Sequence, residues 1–513
     1  MSERHESVRE GWLRVCLSEK FVLPSATLLA IALPFFVVTY VPSSDLPQHL
    51  AQIRLFLEMI SGRHAGVLTI QWFSPNTLVY SLVGLMWVIF PPVLSGKMTM
   101  LALALLWSGA VFVLAGACGR PRESAVLASL LTLSGSFYWG FINFLSGWPI
   151  FVLWLLLARR REGDRPALGT LLLMTVCSCA LLFSHVLWLA AGLAALALLD
   201  TIRRSPVRLL ARHCMAVAPV VLFTVLWYPR FHSSRLQIGF DTDAHWQTLP
   251  WERLTPDWVI QGVLAGLTGP WDAIIIAAVL LWGALALFTN RGSLRSSWDR
   301  ELGGIGLLML AVSLAAPDKY LNTISFASRW FPVAVVLLLL SLPGPKLHRA
   351  VVFAFPLTMI AACAIVTSSD WRHFERDELS GLNESLRAIP DSSSTLGLDF
   401  IKLSAYIRGR PFLQTFAYSQ VLHGGELNFS FVLHGTGIVA LSAPPVFRWT
   451  PNLEWYPEDV DVRDFRQFDV ALVNGTDEMH ESFRKRGVVV PMTFSGRWRA
   501  YKCVHPVLPM ETR

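Results

Sequence analysis

Charge is what this 513-residue chain has least of. Charged residues make up 15% of it and hydrophobic ones 53%, whereas soluble globular domains carry roughly 25% charged residues. That balance excludes a water-soluble enzyme of this size. The cysteines are few and scattered, at positions 16, 118, 177, 179, 214, 363 and 503, which excludes a disulfide-stapled scaffold. Gly and Pro follow no period, so a collagen-like chain is excluded, and the high apolar content excludes a disordered one. There is no P-loop, no Gly-x-Ser-x-Gly, no His-Glu-x-x-His and no Cys-x-x-Cys, which removes the common nucleotide, serine-hydrolase, zinc-protease and dithiol signatures. No internal repeat of the transporter type is visible. What is present is a polytopic membrane chain with a soluble part.

Lys and Arg number 43 against 36 Asp and Glu, a net charge of +7. The basic residues sit in short clusters between apolar runs, such as Arg159, Arg160, Arg161 and Arg165, or Arg203, Arg204, Arg208 and Arg212. This is the marking of cytoplasmic loops, and it argues against a nucleic-acid partner.

A span needs about 20 apolar residues. Residues 21–40 meet this, with Arg9, Arg14 and Lys20 before them and no cleavage site after, so segment 1–20 is expected in the cytoplasm. Further spans are expected at 98–118, 124–139, 146–157, 168–183, 186–199, 214–229, 273–288, 302–316, 330–342 and 350–368, about eleven in all. The apolar stretch 75–94 decides the topology. If it does not cross, the clusters Arg120/Arg122, Arg159–Arg165, Arg203–Arg212, Arg291/Arg295/Arg300 and Lys346/Arg349 share one side; if it crosses, all violate the positive-inside rule. It is therefore read as interfacial or re-entrant, with Pro75, Pro91 and Pro92 at its ends. The membrane module is then 21–369, with a large first outer loop at 41–97, and the tail 370–513 lies on the outer face. In that tail a helix is expected over 374–389 and strands over 396–400, 468–473 and 488–494, which makes a soluble α/β domain.

The first outer loop is the most informative stretch. From Ser43-Ser44-Asp45-Leu46-Pro47-Gln48-His49 a helix is expected, its apolar stripe formed by Leu46, Leu50, Ile53, Leu57 and Ile60. Asp45, His49 and Gln52 form a polar line beside that stripe. Asp45 also reads as an N-cap, with Pro47 in the first turn and Gln48 completing a capping box. Cap and site role both stand open on the residues alone, as do a site role and an interfacial hydrogen bond for His49. On the same outer side, Arg329 precedes the span at 330–342 against the usual charge bias, with Lys319 nearby. It reads either as a phosphate grip or as a snorkelling anchor beside Trp330 and Phe331. His185 falls at the tip of an outer hairpin. Tyr138, Trp139, Phe141 and Phe144 read as an interfacial belt or a sugar-stacking surface. The run Asp241-Thr242-Asp243-Ala244-His245 reads as a solvated turn or a cation site.

This layout resembles the GT-C glycosyltransferases, polytopic enzymes that take a sugar from a polyprenyl-phosphate carrier. In that family an acidic residue opens the first outer loop, juxtamembrane helices follow, and a soluble domain often hangs outside at the C-terminus. Asp45 in Ser-Ser-Asp-Leu-Pro-Gln-His-Leu-Ala-Gln and the stretch Trp72-Phe73-Ser74-Pro75-Asn76 to Leu94 carry the resemblance. It implies a polytopic α-helical GT-C-like fold and an inverting transfer at the outer leaflet of the inner (plasma) membrane. The acceptor would be an envelope glycan, lipid or protein. The carrier phosphate is already a competent leaving group, so the reaction needs a base for the acceptor hydroxyl and fixed cations for the phosphate. Asp45 is the expected base, with His49 beside it. Arg329, Lys319, Asn143, His185 and Gln52 are the expected substrate contacts. Many relatives carry a second acid in the next outer loop, where this chain has Asn143; two acidic ligands would suit a divalent metal, and one does not. No metal ligands and no certain cofactor are therefore assigned, and a divalent metal stays open on weak support. A transporter or flippase of lipid-linked sugars, or a non-catalytic envelope-assembly protein, would share this layout without needing a base.

Overall fold

The computed structural model describes residues 19–160, 167–237, 241–435, 437–485 and 487–504. The expected cytoplasmic segment 1–20, apart from its last two residues, and Arg161 and Arg165 of the basic cluster lie outside the described residues.

The apolar runs fold into helices because a backbone in hydrocarbon must satisfy its own hydrogen bonds. In chain order these are α1 (Glu19–Ala32), α2 (Leu46–Ile60), α3 (Val79–Ile89), α4 (Pro92–Ala117), α5 (Arg122–Ser129), α6 (Ile142–Arg159), α7 (Leu168–Ser184), α8 (Val186–Arg203), α9 (Val207–Gln237), α10 (Trp271–Thr289), α11 (Arg300–Ala315), α12 (Trp330–Ser341) and α13 (Arg349–His373). Among the described residues, six helices are long and apolar enough to cross a membrane by length and composition: α4, α6, α8, α9, α10 and Arg349–Glu378. Shorter apolar helices include Phe21–Phe36, α3, α7 and α12. At 11 residues, α3 is about 16 Å long, roughly half the thickness of the hydrocarbon core.

The expected span at 124–139 is not one helix. α5 ends at Ser129, a 3₁₀ turn follows over Leu130–Leu133, and the chain extends at Ser134 before a short helix at Gly135–Tyr138. Ser124, Ser129, Thr132, Ser134 and Ser136 are all buried there. Ser and Thr bond within the bundle, as in the 2.7 Å contact of Ser108 with Thr132, and compete with the helix backbone.

Four basic residues from different interhelical connections converge at one end of the bundle. Arg120 donates to the Leu340 and Ser297 carbonyls, Arg159 pairs with Asp299 at 2.8 Å, Arg203 pairs with Glu301 at 2.8 Å, and Lys346 reaches Ser293. α6 runs from this end at Arg159 to the opposite end at Ile142, about 27 Å away by helix rise.

The tail is a small α/β unit. With β1 (Leu68–Ile70) in the loop 41–97, the strands are β2 (Thr395–Asp399), β3 (Val439–Leu441), β4 (Val470–Asn474), β5 (Val489–Pro491) and β6 (Trp498–Cys503). The main sheet has the order β2-β4-β6-β5, with β2 and β4 parallel and β6 antiparallel to both its neighbours. β6, in the middle of that order, was not expected from the sequence. The helix expected over 374–389 is split: α13 runs into a π turn at Phe374–Glu378, Gly381 turns the chain at φ +81°, and α14 (Leu382–Ala388) follows. The break seats Gly381 on the Ser495 carbonyl, where a Cβ would lie at 2.5 Å.

The tail is docked on the loop 41–97. β1 pairs antiparallel with β3. Gln48 donates to Gln414 at 2.9 Å and to the Phe429 carbonyl, and accepts from Phe431 N–H. Gln52 accepts from Val439 N–H at 2.8 Å.

Candidate active site

The segment entering α2 is held by backbone pairing. Ser44 N–H donates to Tyr138 O at 2.9 Å and Asp45 N–H to Trp139 O at 3.0 Å. The Ser44 hydroxyl donates to Arg410 O in the tail at 2.9 Å. The fit requires Gly140: at φ +78° it lies so close that a Cβ would sit 2.7 Å from Ser43 Oγ and 3.0 Å from Asp45 N. α2 packs on both sides as a result. Leu46, Leu50 and Ile53 are buried, whereas the last two positions of the stripe, Leu57 and Ile60, are exposed.

Asp45 occupies the N-cap position, but its side chain makes no capping hydrogen bond. Gln48, the other half of the expected box, is spent on the tail. The carboxylate instead faces a cavity of about 330 Å³ shared with His49, Asn143, His185 and Arg329. Burial pushes the Asp45 carboxyl up to about 7, with the Arg329 guanidinium pulling the other way.

Arg329 is only 6% exposed. It does not snorkel: its guanidinium lies 3.7 Å from the Phe141 ring centroid, Nη2 donates to Ile324 O at 2.8 Å, and Nη1 lies 3.5 Å from His185 Nε2. Nε has no hydrogen-bond partner among the described residues, so a buried donor stands ready for a ligand. Burial pushes this guanidinium down to about 9, with Asp45 opposing.

Both histidines of the cavity are held neutral. His49 Nδ1 lies 2.8 Å from the Tyr80 hydroxyl, the ring also bonds to the Gly140 backbone, and burial pushes it down to about 3. His185 accepts from Leu187 N–H at the start of α8, and burial with Arg329 nearby pushes it to about 3 as well. Asn143 brings Oδ1 to the cavity without a partner among the described residues.

Two expected contacts lie outside the cavity. Gln52 is buried and spends its oxygen on β3. Lys319 pairs with Asp241 at 3.3 Å and bridges through its backbone to His245. Asp241 also holds His245 at 2.6 Å, so the 241–245 run closes on itself and on Lys319. Tyr138, Phe141 and Phe144 are buried rather than forming a lipid-facing belt; Phe141, Phe144 and Trp139 line the cavity.

The sequence reading missed the tail's contribution. Asn452, Glu454 and Trp455 complete the cavity wall, together with Asn76, Tyr80, Asn322 and Gln414. Glu454 is 4% exposed, and burial pushes its carboxyl up to about 7. The signal in the sequence was slight: an acid followed by two aromatics before Pro457. Among the described residues no three His, Cys, Asp or Glu side chains come together to hold a metal.

No family model matches this sequence, and no curated protein does. The fold does match solved structures. ArnT from Cupriavidus metallidurans in the apo state aligns over 97% of this chain and 98% of its own, at TM-score 0.55 and 10% identity. The same protein bound to undecaprenyl phosphate aligns over the same shares, at TM-score 0.48 and 10% identity. At this identity the likeness is one of fold, and it extends over nearly the whole of both chains.

Proposed function

We propose that this protein is an inner-membrane glycosyltransferase that moves a sugar from a polyprenyl-phosphate-linked donor to an envelope glycan, lipid or protein acceptor at the outer leaflet. The observation that carries this is the shared cavity of Asp45 and Arg329: one uncapped carboxylate and one buried guanidinium with a free donor. The GT-C fold supports it. So does the separation of this cavity from the basic cluster at the other end of α6, since the positive-inside rule puts such a cluster in the cytoplasm.

In this reading Asp45 takes the proton from the acceptor hydroxyl as it attacks the anomeric carbon. A carboxyl raised to about 7 is matched to that task, because a base poised near the working pH combines availability with strength. The C–O bond to the phosphate breaks, and the phosphate leaves with its electron pair. Arg329 faces the charge that accumulates there, and a fixed cation in a low-dielectric cavity acts without reorganising. His49, neutral and bonded to Tyr80 and Gly140, orients the first turn of α2, while Asn143 and His185 line the path.

The test is purified protein with labelled polyprenyl-phosphate sugars and candidate acceptors. Transfer by the wild type and its loss in Asp45→Asn support the reading. Movement of the lipid-linked sugar across the bilayer without transfer, unaffected by Asp45→Asn, would replace it with a flippase.

A further inference from the structure

The wall contributed by the tail has a chemistry of its own. Leu453 is buried in the tail core beside Leu396, Leu398 and Phe465, and Asn452, at φ +62°, accepts from Trp455 N–H and Tyr456 N–H at 2.9 Å. This pinned turn presents Glu454 and Trp455 to the cavity. Trp455 lies 6.5 Å from Trp139 by ring centroids, Trp139 stacks on Phe141 at 6.0 Å, and Arg410 lies 5.4 Å over the Trp455 ring.

The polar groups around these rings are mostly acceptors waiting for donors. Asn76 Oδ1 and Asn143 Oδ1 are buried with no partner among the described residues. Glu454 faces the cavity as a buried carboxyl, hydrogen-bonded to its own backbone N–H. Buried acceptors left unpaired cost free energy, so the fitting ligand brings hydrogen-bond donors. Flat aromatic faces ask in addition for an apolar surface. A sugar ring offers both: C–H groups on a face and hydroxyls on the rim. The cavity's size, at the small end of the range of roughly 300–1,000 Å³ for ligand sites, suits a sugar ring and a phosphate.

We propose that the turn 452–456 completes a sugar-ring subsite, in which Trp455 and Trp139 stack on the ring and Glu454 and Asn143 accept from its hydroxyls. The subsite sits in the cavity of the proposed transferase and rests on that reading for which sugar fills it, donor or acceptor, but not for the binding itself.

The test uses the full chain in nanodiscs with the methyl glycosides of glucose, mannose, galactose, xylose and arabinose as probes, read by saturation-transfer NMR. The expected result is a signal from at least one glycoside that falls at least fivefold in Trp455→Ala and in Glu454→Gln, persists in Trp455→Phe, and is unchanged in Lys346→Ala at the far end of the bundle. Thermal melts that match the wild type certify each variant as folded. Loss of the signal on adding a decaprenyl-phosphate-linked sugar assigns the subsite to the donor; persistence assigns it to the acceptor. No glycoside signal, or one that neither Trp455→Ala nor Glu454→Gln alters, overturns the proposal. Binding that survives in Asp45→Asn while transfer is absent from every protein tested would sink the transferase and leave the subsite standing.

Discussion

Burial raises the Asp45 carboxyl to about 7, and the Arg329 guanidinium in the same cavity is the charge that keeps it from rising further. The two residues lie 284 positions apart in the chain, and each opposes the effect of burial on the other.

That coupling sets a pH profile. With Asp45 as base, kcat/KM rises with pH through about 7 as the carboxyl ionises and then levels off. Arg329→Met removes the charge that lowers the carboxyl, so the rising limb moves to higher pH. A profile in which that limb stays put in the variant would separate the two residues.

Asp45→Asn is expected to cut transfer by about 10²- to 10⁴-fold without loss of stability. The side chain makes no capping bond whose removal would destabilise α2. Because its folded pKa is raised from 3.8 to about 7, ionising it costs stability progressively from about pH 4 to about pH 7, and by a constant amount above. The melting temperature of the variant should therefore gain on the wild type across that window. Thermal melts at pH 4.5, 6 and 8 check this, and a variant that melts earlier at pH 8 would restore the capping role.

Arg329→Lys is expected to behave like a loss rather than a conservative change, lowering kcat by about 10²- to 10³-fold. The guanidinium stacks on Phe141 at 3.7 Å while bonding Ile324 O, a geometry that an ammonium on a flexible stem does not reproduce. Steady-state kinetics in both variants, Lys and Met, give the comparison.

Gln48 and Gln52 clamp the tail to α2. Gln52→Ala leaves Val439 N–H unpaired in a buried place, a cost of about 1–3 kcal/mol. Amide exchange across β1 and β3 should speed up in this variant while the bundle stays protected. Unchanged exchange at 439–441 would show that the β1–β3 pairing holds without the glutamine.

The docking also makes a prediction about sidedness. In a protein stripped of its native cysteines, Ser61→Cys and Ser495→Cys should react with an impermeant thiol reagent from one side of the membrane, and Arg295→Cys from the other. All three positions are exposed. Labelling of Ser61→Cys and Arg295→Cys from the same side is the outcome this arrangement forbids.

Much of this was legible in the chain itself. Low charge and long apolar runs dictate helices in lipid, because hydrocarbon leaves the backbone no other partner. The helix at 46–60, with an acid at its start, followed from local spacing, and the basic residues at 120, 159, 203 and 346 announced a common side before the fold brought them to one end. Local signals failed where tertiary contacts overrode them. The run 124–139 looked like a span, yet its buried serines break it inside the bundle. The run 374–389 looked like one helix, yet the Gly381 turn seats it on the tail sheet.

The sequence by itself determined the class of molecule and the neighbourhood of Asp45, since hydropathy and helical spacing are properties of adjacent residues. Only the tertiary structure decided that the carboxylate is uncapped, that Arg329 turns inward to it, that Lys319 and Gln52 are spent elsewhere, and that Glu454 and Trp455 close the cavity. The reason is physical: burial, pairing and shared cavities join residues hundreds of positions apart, and no periodicity along the chain encodes which distant side chain will satisfy a buried polar group.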